Sequence, residues 1–138
     1  MAEAMNEVLI STDKSLLDIP FIHQFLSQSY WAKGRTMEET LTAIGHSLNF
    51  GVYESGRQIG YARVVTDYVQ FAYLMDVFID ESRRGLGYAA QLVSFILDFE
   101  ALQKVKVWRL ATTDAHELYQ KFGFTALSRP ENMMERKR

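Results

Sequence analysis

The chain of 138 residues contains no cysteine. That single absence removes disulfides, thiolate zinc sites and a cysteine nucleophile together. With two prolines and eight glycines there is no Pro/Gly-rich linker, and no repeat or low-complexity stretch interrupts the chain. No apolar run reaches the 18 residues of a membrane-spanning helix. Neither sign of charge dominates: 15 Lys and Arg face 17 Asp and Glu, a net charge of −2, so nothing recruits nucleic acid electrostatically. The short basic run Arg136-Lys137-Arg138 reads as solvated. His23 and His46 lack metal-ligand spacing and read as surface or capping residues, so no metal is expected. The acidic stretch Met1–Glu7 has no apolar h-region, and a cytoplasmic location is expected.

What is present is core-forming material. Hydrophobic residues make up 48% and aromatics 13%, enough for one domain over residues 1–138. The patterning predicts a short strand at Val8–Ser11 and a helix from Leu16 to Tyr30. A second helix from Met37 to Leu48 opens with Thr36 and Glu39 in capping-box spacing. Two alternating runs around Glu54-Ser55-Gly56-Arg57 predict a hairpin, and Val69–Ile79 should pair antiparallel with its second arm. A long helix, a strand at Val105–Ala111 and a short helix capped by Asp114 and Glu117 and ended by Gly123 follow. Phe124–Leu127 then predicts a late strand, with Met133–Glu135 closing the sheet weakly.

The most informative segment is Arg84-Gly85-Leu86-Gly87-Tyr88-Ala89, between the apolar strand Tyr73–Ile79 and a helix apolar at Ala89, Leu92, Val93, Ile96 and Leu97. Two glycines let backbone approach a ligand closely, and a helix that starts there turns its unpaired N–H groups and positive dipole end toward it. Such a site suits phosphate, and Arg84 adds a donor fork for pyrophosphate oxygens. A mononucleotide loop of the form Gly-x4-Gly-Lys-Ser/Thr is absent. Gly85-Leu86-Gly87-Tyr88-Ala89-Ala90 does meet the relaxed dinucleotide pattern. It comes late in the chain, however, and no strand ending in an acid follows about 20 residues on.

Arg84-x-x-Gly87-x-Ala89 resembles the acetyl-CoA pyrophosphate loop of the GNAT superfamily of N-acetyltransferases. Ala115-His116-Glu117-Leu118-Tyr119-Gln120-Lys121-Phe122-Gly123-Phe124 is similar to that family's Ala-x-x-Leu-Tyr-x-x-x-Gly-Phe segment. The resemblance implies a single-domain α+β fold: a mixed, mostly antiparallel sheet of about six or seven strands, splayed at the cofactor site and flanked by about four helices. It implies acetyl-CoA as cosubstrate, no metal, and an amine acceptor, small molecule or peptide. The expected cofactor contacts are Val77, Phe78 and Ile79 on one side of the splay, the loop Arg84, Gly85, Leu86, Gly87, Tyr88 and Ala89, then Thr112 and Tyr119. In that picture the pantetheine arm pairs with backbone at Val77 and Ile79, where an N–H can also stabilise the thioester oxygen.

The chemistry needs a neutral amine. A lysine-like amine is neutral only about 0.04% of the time at pH 7, a deficit of roughly 4.6 kcal/mol, so a base or a water chain is useful. Asp76 is the first candidate, with Glu117, His116 and Tyr73 behind it; a hydrogen-bonded strand carboxylate is the other reading of Asp76. Relatives that carry a glutamate base on this strand have it where Tyr73 stands, which leaves the base unassigned. Tyr119 matches a tyrosine that in many relatives points at the sulfur of CoA. Its phenol is a weaker acid than a thiol, so it suits hydrogen bonding better than full proton transfer. Tyr30 and Trp31, joined by Phe71 and Tyr73, could wall an aromatic acceptor slot. Three function classes stay open: the acyltransferase, an idle acyl-CoA-binding domain, and a dinucleotide enzyme. A homodimer is left open too.

Overall fold

The computed structural model describes residues 7–138. The expectation for Met1–Glu7 therefore falls, except for Glu7, outside the described residues. The sheet begins with β1 (Leu9–Ser11). Two helices follow, α1 (Ile19–Ser27) and α2 (Met37–Gly45). Then come β2 (Leu48–Glu54), β3 (Arg57–Thr66) and β4 (Phe71–Ile79). The chain continues through α3 (Tyr88–Asp98), β5 (Val107–Arg109) and α4 (His116–Gln120). The five strands stand in sheet order 1-2-3-4-5. The first three pairings are antiparallel and β4–β5 is parallel.

Local chemistry explains the boundaries. Thr36 accepts from the Glu39 N–H at 3.1 Å while Glu39 accepts from the Thr36 N–H at 2.8 Å, the reciprocal cap expected for α2. The helix expected from Leu16 begins only at Ile19. Asp18 caps it by accepting from the Phe21 N–H, Pro20 lies in its first turn, and a separate 3-10 turn occupies Lys14–Leu16. Ser55 and Gly56 take φ of 52° and 79°, the paired left-handed geometry of a tight hairpin turn.

Two apolar clusters sandwich the sheet. On one face Leu92, Val93 and Ile96 of α3 pack with Phe50, Val52 and Leu74. On the other, Ile22 and Leu26 of α1 and Ile44 of α2 pack with Tyr61 and Phe78. Each fully buried aliphatic side chain is worth about 1.5–3 kcal/mol, so these two layers set the rigidity of what lies at their edge.

The sheet is smaller at its C-terminal end than expected. Neither Phe124–Leu127 nor Met133–Glu135 forms a strand; a 3-10 turn at Pro130–Asn132 intervenes. Residues 124–128 lie beside Val107, Trp108 and Arg109 without forming a ladder. Their apolar residues dock instead through side chains: Phe124 packs edge-on against Tyr119, 5.9 Å between ring centres.

Candidate active site

β4 is the element that makes the site. Gly60 pairs with Ile79 and Tyr61 with Phe78, but Arg63 pairs with Met75, so two residues, Asp76 and Val77, face Ala62 alone. This is a β-bulge, and Asp76 takes φ +56°, a conformation that costs a non-glycine residue about 1–3 kcal/mol. The bulge changes which side chains face which layer. Ala72 and Leu74 belong to the α3 cluster, and strict alternation would send Asp76 there as well. With the extra residue, Val77 and Ile79 take that face and Asp76 turns to the other.

There Asp76 is enclosed by cations. Arg35 Nη1 and Arg63 Nε donate to its Oδ2 at 2.8 and 2.6 Å, and Trp31 Nε1 donates to Oδ1 at 2.9 Å. Burial pushes this carboxyl up, but the hydrogen bonds and charges of Arg35 and Arg63 outweigh it and hold the group below its ordinary value. Both oxygens are occupied, which disfavours Asp76 as a proton acceptor. Arg63 Nη1 also donates to Ser47 Oγ at 3.0 Å, tying the cluster to the end of α2.

Beyond the Tyr73–Arg109 pair, β4 and the chain after β5 have no further ladder. The gap between them is a cavity of about 350 Å³, walled by Leu74–Val77 on one side and Leu110–Ala115 on the other. Tyr30, Trp31, Tyr73, Asp76, Val77, Thr112 and Tyr119, all singled out from the sequence, meet here. Phe71, Phe78 and Ile79 do not. Phe71 stands 40% exposed beside β5, and Phe78 stacks on Phe25 at 3.8 Å under α1. A second cavity, about 550 Å³, runs from Arg84 and Asp80 past Phe25 and Gln28. The two share Tyr30, Trp31 and Asp114, so a trough leads from Arg84, where the glycine loop begins, to the splay.

Just past Arg84, Gly85 and Gly87 both take left-handed φ, 79° and 83°, and neither has an atom within 4 Å of where a Cβ would stand. The space above the loop is open to a ligand, and no side chain caps α3 at Gly87. The Arg84 guanidinium lies 5.9 Å above the Phe25 ring, and its Nε donates to the Ile79 carbonyl at 3.1 Å. Leu86 is exposed in the loop. The Tyr88 side chain is turned away from the trough, with its hydroxyl donating to Glu54 Oε2 at 3.0 Å; a ligand can meet this residue only through its backbone.

At the other end, Tyr119 is buried, and its hydroxyl has no hydrogen-bond partner among the described residues. Burial, with Asp114 and Tyr30 nearby, pushes its pKa up to about 12. The Asp114–Glu117 capping box is not formed: α4 has no side-chain cap, and Thr112 Oγ1 accepts from the Ala115 N–H at 3.0 Å instead. Thr112 is thus first a loop-holding residue. Thr113 Oγ1 donates to the Tyr30 hydroxyl at 2.7 Å across the mouth. Arg35, Arg63 and Thr113 carried no signal in the sequence, because each matters only through partners far along the chain, and Asp114 read there only as a helix cap. His116 and Glu117 do not line the cleft. Among the described residues no cluster of His, Asp and Glu could hold a metal, and no helix is long and apolar enough to cross a membrane.

An α+β sheet that splays beyond one parallel pair, with a glycine loop feeding a helix at the same edge, defines an acetyltransferase fold. The family model described as acetyltransferase (GNAT) domain matches residues 46–126, and the chain belongs to the GNAT acetyltransferase family. A candidate acetyltransferase of Gibberella zeae is 30% identical over 83% of this chain and 77% of its own length. The crystal structure of a candidate GNAT acetyltransferase from Xanthomonas campestris pv. campestris shares 46% identity. It superposes with a TM-score of 0.93 over 96% of this chain and 94% of that one. A GNAT-family acetyltransferase from Streptococcus pneumoniae, 22% identical with a TM-score of 0.72, covers 96% of this chain and 99% of its own, a likeness of fold.

Proposed function

We propose that the protein transfers an acetyl group from acetyl-CoA to a primary amine, in a small molecule or a peptide, by direct attack in a ternary complex. The observation that carries this reading is the continuity of the trough: it runs from Arg84, the first residue of an open, left-handed glycine loop, to a splay that ends on an unpartnered tyrosine hydroxyl. The first-turn N–H groups of α3 and the Arg84 fork suit a pyrophosphate, while the splay accepts an extended arm that bonds to β4 backbone.

In this reading Val77 and Ile79 offer backbone to the pantetheine arm and to the thioester oxygen. Tyr119 donates a hydrogen bond to the sulfur as it leaves with the carbon–sulfur electron pair. Its pKa of about 12 keeps the proton on the phenol, well above a thiol near 8.5, so it stabilises the thiolate without surrendering the proton. Asp76 is assigned a structural part and not that of the base. Asp114 has no hydrogen bond or ion pair among the described residues and lines both cavities, so it is the carboxylate left to receive the amine's proton, directly or through water. Tyr30, Trp31 and Tyr73 wall the acceptor side. The cytoplasmic location expected from the sequence belongs to the same proposal.

The deciding experiment is a thermal scan with acetyl-CoA, CoA and NADH, followed by thiol release from acetyl-CoA over a panel of amines. Ligand at 100 times its dissociation constant stabilises by about 2.7 kcal/mol, easily seen as a rise in Tm. Stabilisation by NADH alone overturns the reading. Stabilisation by acetyl-CoA with no thiol release on any amine favours an idle acyl-CoA-binding domain.

A further inference from the structure

Glu54, at the end of β2, lies outside both sequence signatures, yet its Oε2 holds the two ends of the glycine loop at once. Arg83, immediately before the loop, donates to this oxygen from Nη2 at 2.7 Å. Tyr88, the first residue of α3 after the loop, donates from its hydroxyl at 3.0 Å. The Arg83 guanidinium also lies over the Tyr88 ring, 5.9 Å from its centre, so the three side chains form a closed triangle. On its own strand pair, Glu54 stands opposite Arg57 across the hairpin turn, which adds a second positive charge near the carboxylate. The hydrogen bond and charge of Arg83 hold this carboxyl below its ordinary value, so it remains ionised through the neutral range.

Arg84 is also held by the Ile79 carbonyl, but the stretch after it has no packing of its own. Gly85 and Gly87 meet no atom within 4 Å of a notional Cβ, and Leu86 between them is exposed. A segment with two glycines loses much conformational freedom on ordering, and a ligand that has to order it binds more weakly. Pinning both ends to one carboxylate removes that cost before the ligand arrives.

We propose that Glu54 is a positioning residue for the acyl-donor phosphates: it acts through Arg83 and Tyr88 to preset the Arg84–Gly87 loop. The inference rests on the reading of that loop as a pyrophosphate site. It separates the donor into two parts, since the phosphates meet the loop and the pantetheine arm meets the splay. Glu54 therefore controls affinity for a donor with phosphates and not for one without.

The test compares acetyl-CoA with S-acetylpantetheine, which lacks the pyrophosphate and nucleotide, on wild type, Glu54→Gln and Glu54→Ala, by calorimetry and by competition against a thiol-detected probe. Glu54→Ala should weaken acetyl-CoA about tenfold, the order of one charge-assisted contact. Glu54→Gln, which keeps an acceptor for Tyr88 but not the charge for Arg83, should fall between. S-acetylpantetheine should bind all three alike. Equal weakening of both donors, or no weakening of acetyl-CoA, overturns the positioning role. If wild type binds S-acetylpantetheine as tightly as acetyl-CoA, the pyrophosphate reading of the loop itself fails, and the proposal with it. Circular dichroism on both variants distinguishes these outcomes from unfolding.

Discussion

Trp31 Nε1 donates to Asp76 Oδ1 at 2.9 Å, so the indole that lines the splay cavity is held by the same residue whose left-handed backbone bends β4. The cleft's shape and its aromatic wall are one mechanical unit. Because Arg35 reaches the other carboxylate oxygen, the whole connection between α1 and α2 is anchored to the bulge.

Asp76→Ala removes the shared partner of two guanidiniums and leaves Arg63 buried without compensation. Breaking a buried pair in this way costs about 3–5 kcal/mol, read as a fall in denaturation midpoint. The native carboxyl has a depressed pKa, so its contribution is complete above the unfolded value near 3.9 and is lost as pH falls through the lower folded value. Acid titration of stability should show a limb below about pH 4 that Asp76→Asn reduces. A stable Asp76→Asn variant that had lost only the acidic limb of its pH–rate profile would return Asp76 to the role of base.

Tyr119→Phe deletes one hydroxyl and keeps the ring's packing against Phe124. If the hydroxyl stabilises the departing thiolate, its effect belongs to the transition state. Turnover should fall roughly 10- to 1000-fold, about 1.4–4 kcal/mol, with acetyl-CoA affinity nearly unchanged. Unchanged turnover with chemistry rate-limiting would reduce Tyr119 to a packing residue.

Asp114→Asn should lower kcat/KM for the acceptor and leave acetyl-CoA affinity unchanged, because the carboxylate stands where the two cavities meet. General acid–base groups contribute about 10²–10⁴-fold, and a loss of tenfold or more at neutral pH that narrows at high pH is the expected signature. A pH-independent loss would point to acceptor binding alone.

Gly87→Val places a β-branched side chain at φ +83° and in the open space above the loop. The strain alone should cost about 1–2 kcal/mol of stability, and acetyl-CoA binding should be abolished while the fold survives. Arg84→Ala should be milder, about tenfold in affinity. Wild-type affinity for the Gly87 variant, measured by calorimetry, would show that the loop does not meet the phosphates.

Tyr30→Phe removes the hydrogen bond from Thr113 across the mouth and keeps the edge-on contact with Trp31 at 5.1 Å. Acceptor KM should change by a few fold while acetyl-CoA affinity holds, a split that steady-state kinetics and calorimetry resolve.

The amino-acid sequence by itself determined the features that depend on neighbours within about one turn. The Thr36–Glu39 cap, the Ser55–Gly56 turn, the apolar stripe of α3 and the paired glycines of the loop are all set by spacings of one to four residues. Tertiary structure decided the rest. Asp76 reads as a base candidate in the sequence because its cations come from 13 and 41 positions away, and the bulge that turns it from the core emerges only from the pairing of β3 with β4. Glu54 is silent in the sequence for the same reason, with partners 29 and 34 positions on. The late strands failed because alternation shows that a segment can pair and not that an edge receives it: Phe124 found a better apolar contact on Tyr119 than β5 offered as a ladder. Short-range geometry is written in spacing; charge pairing and sheet register are settled only when distant segments meet.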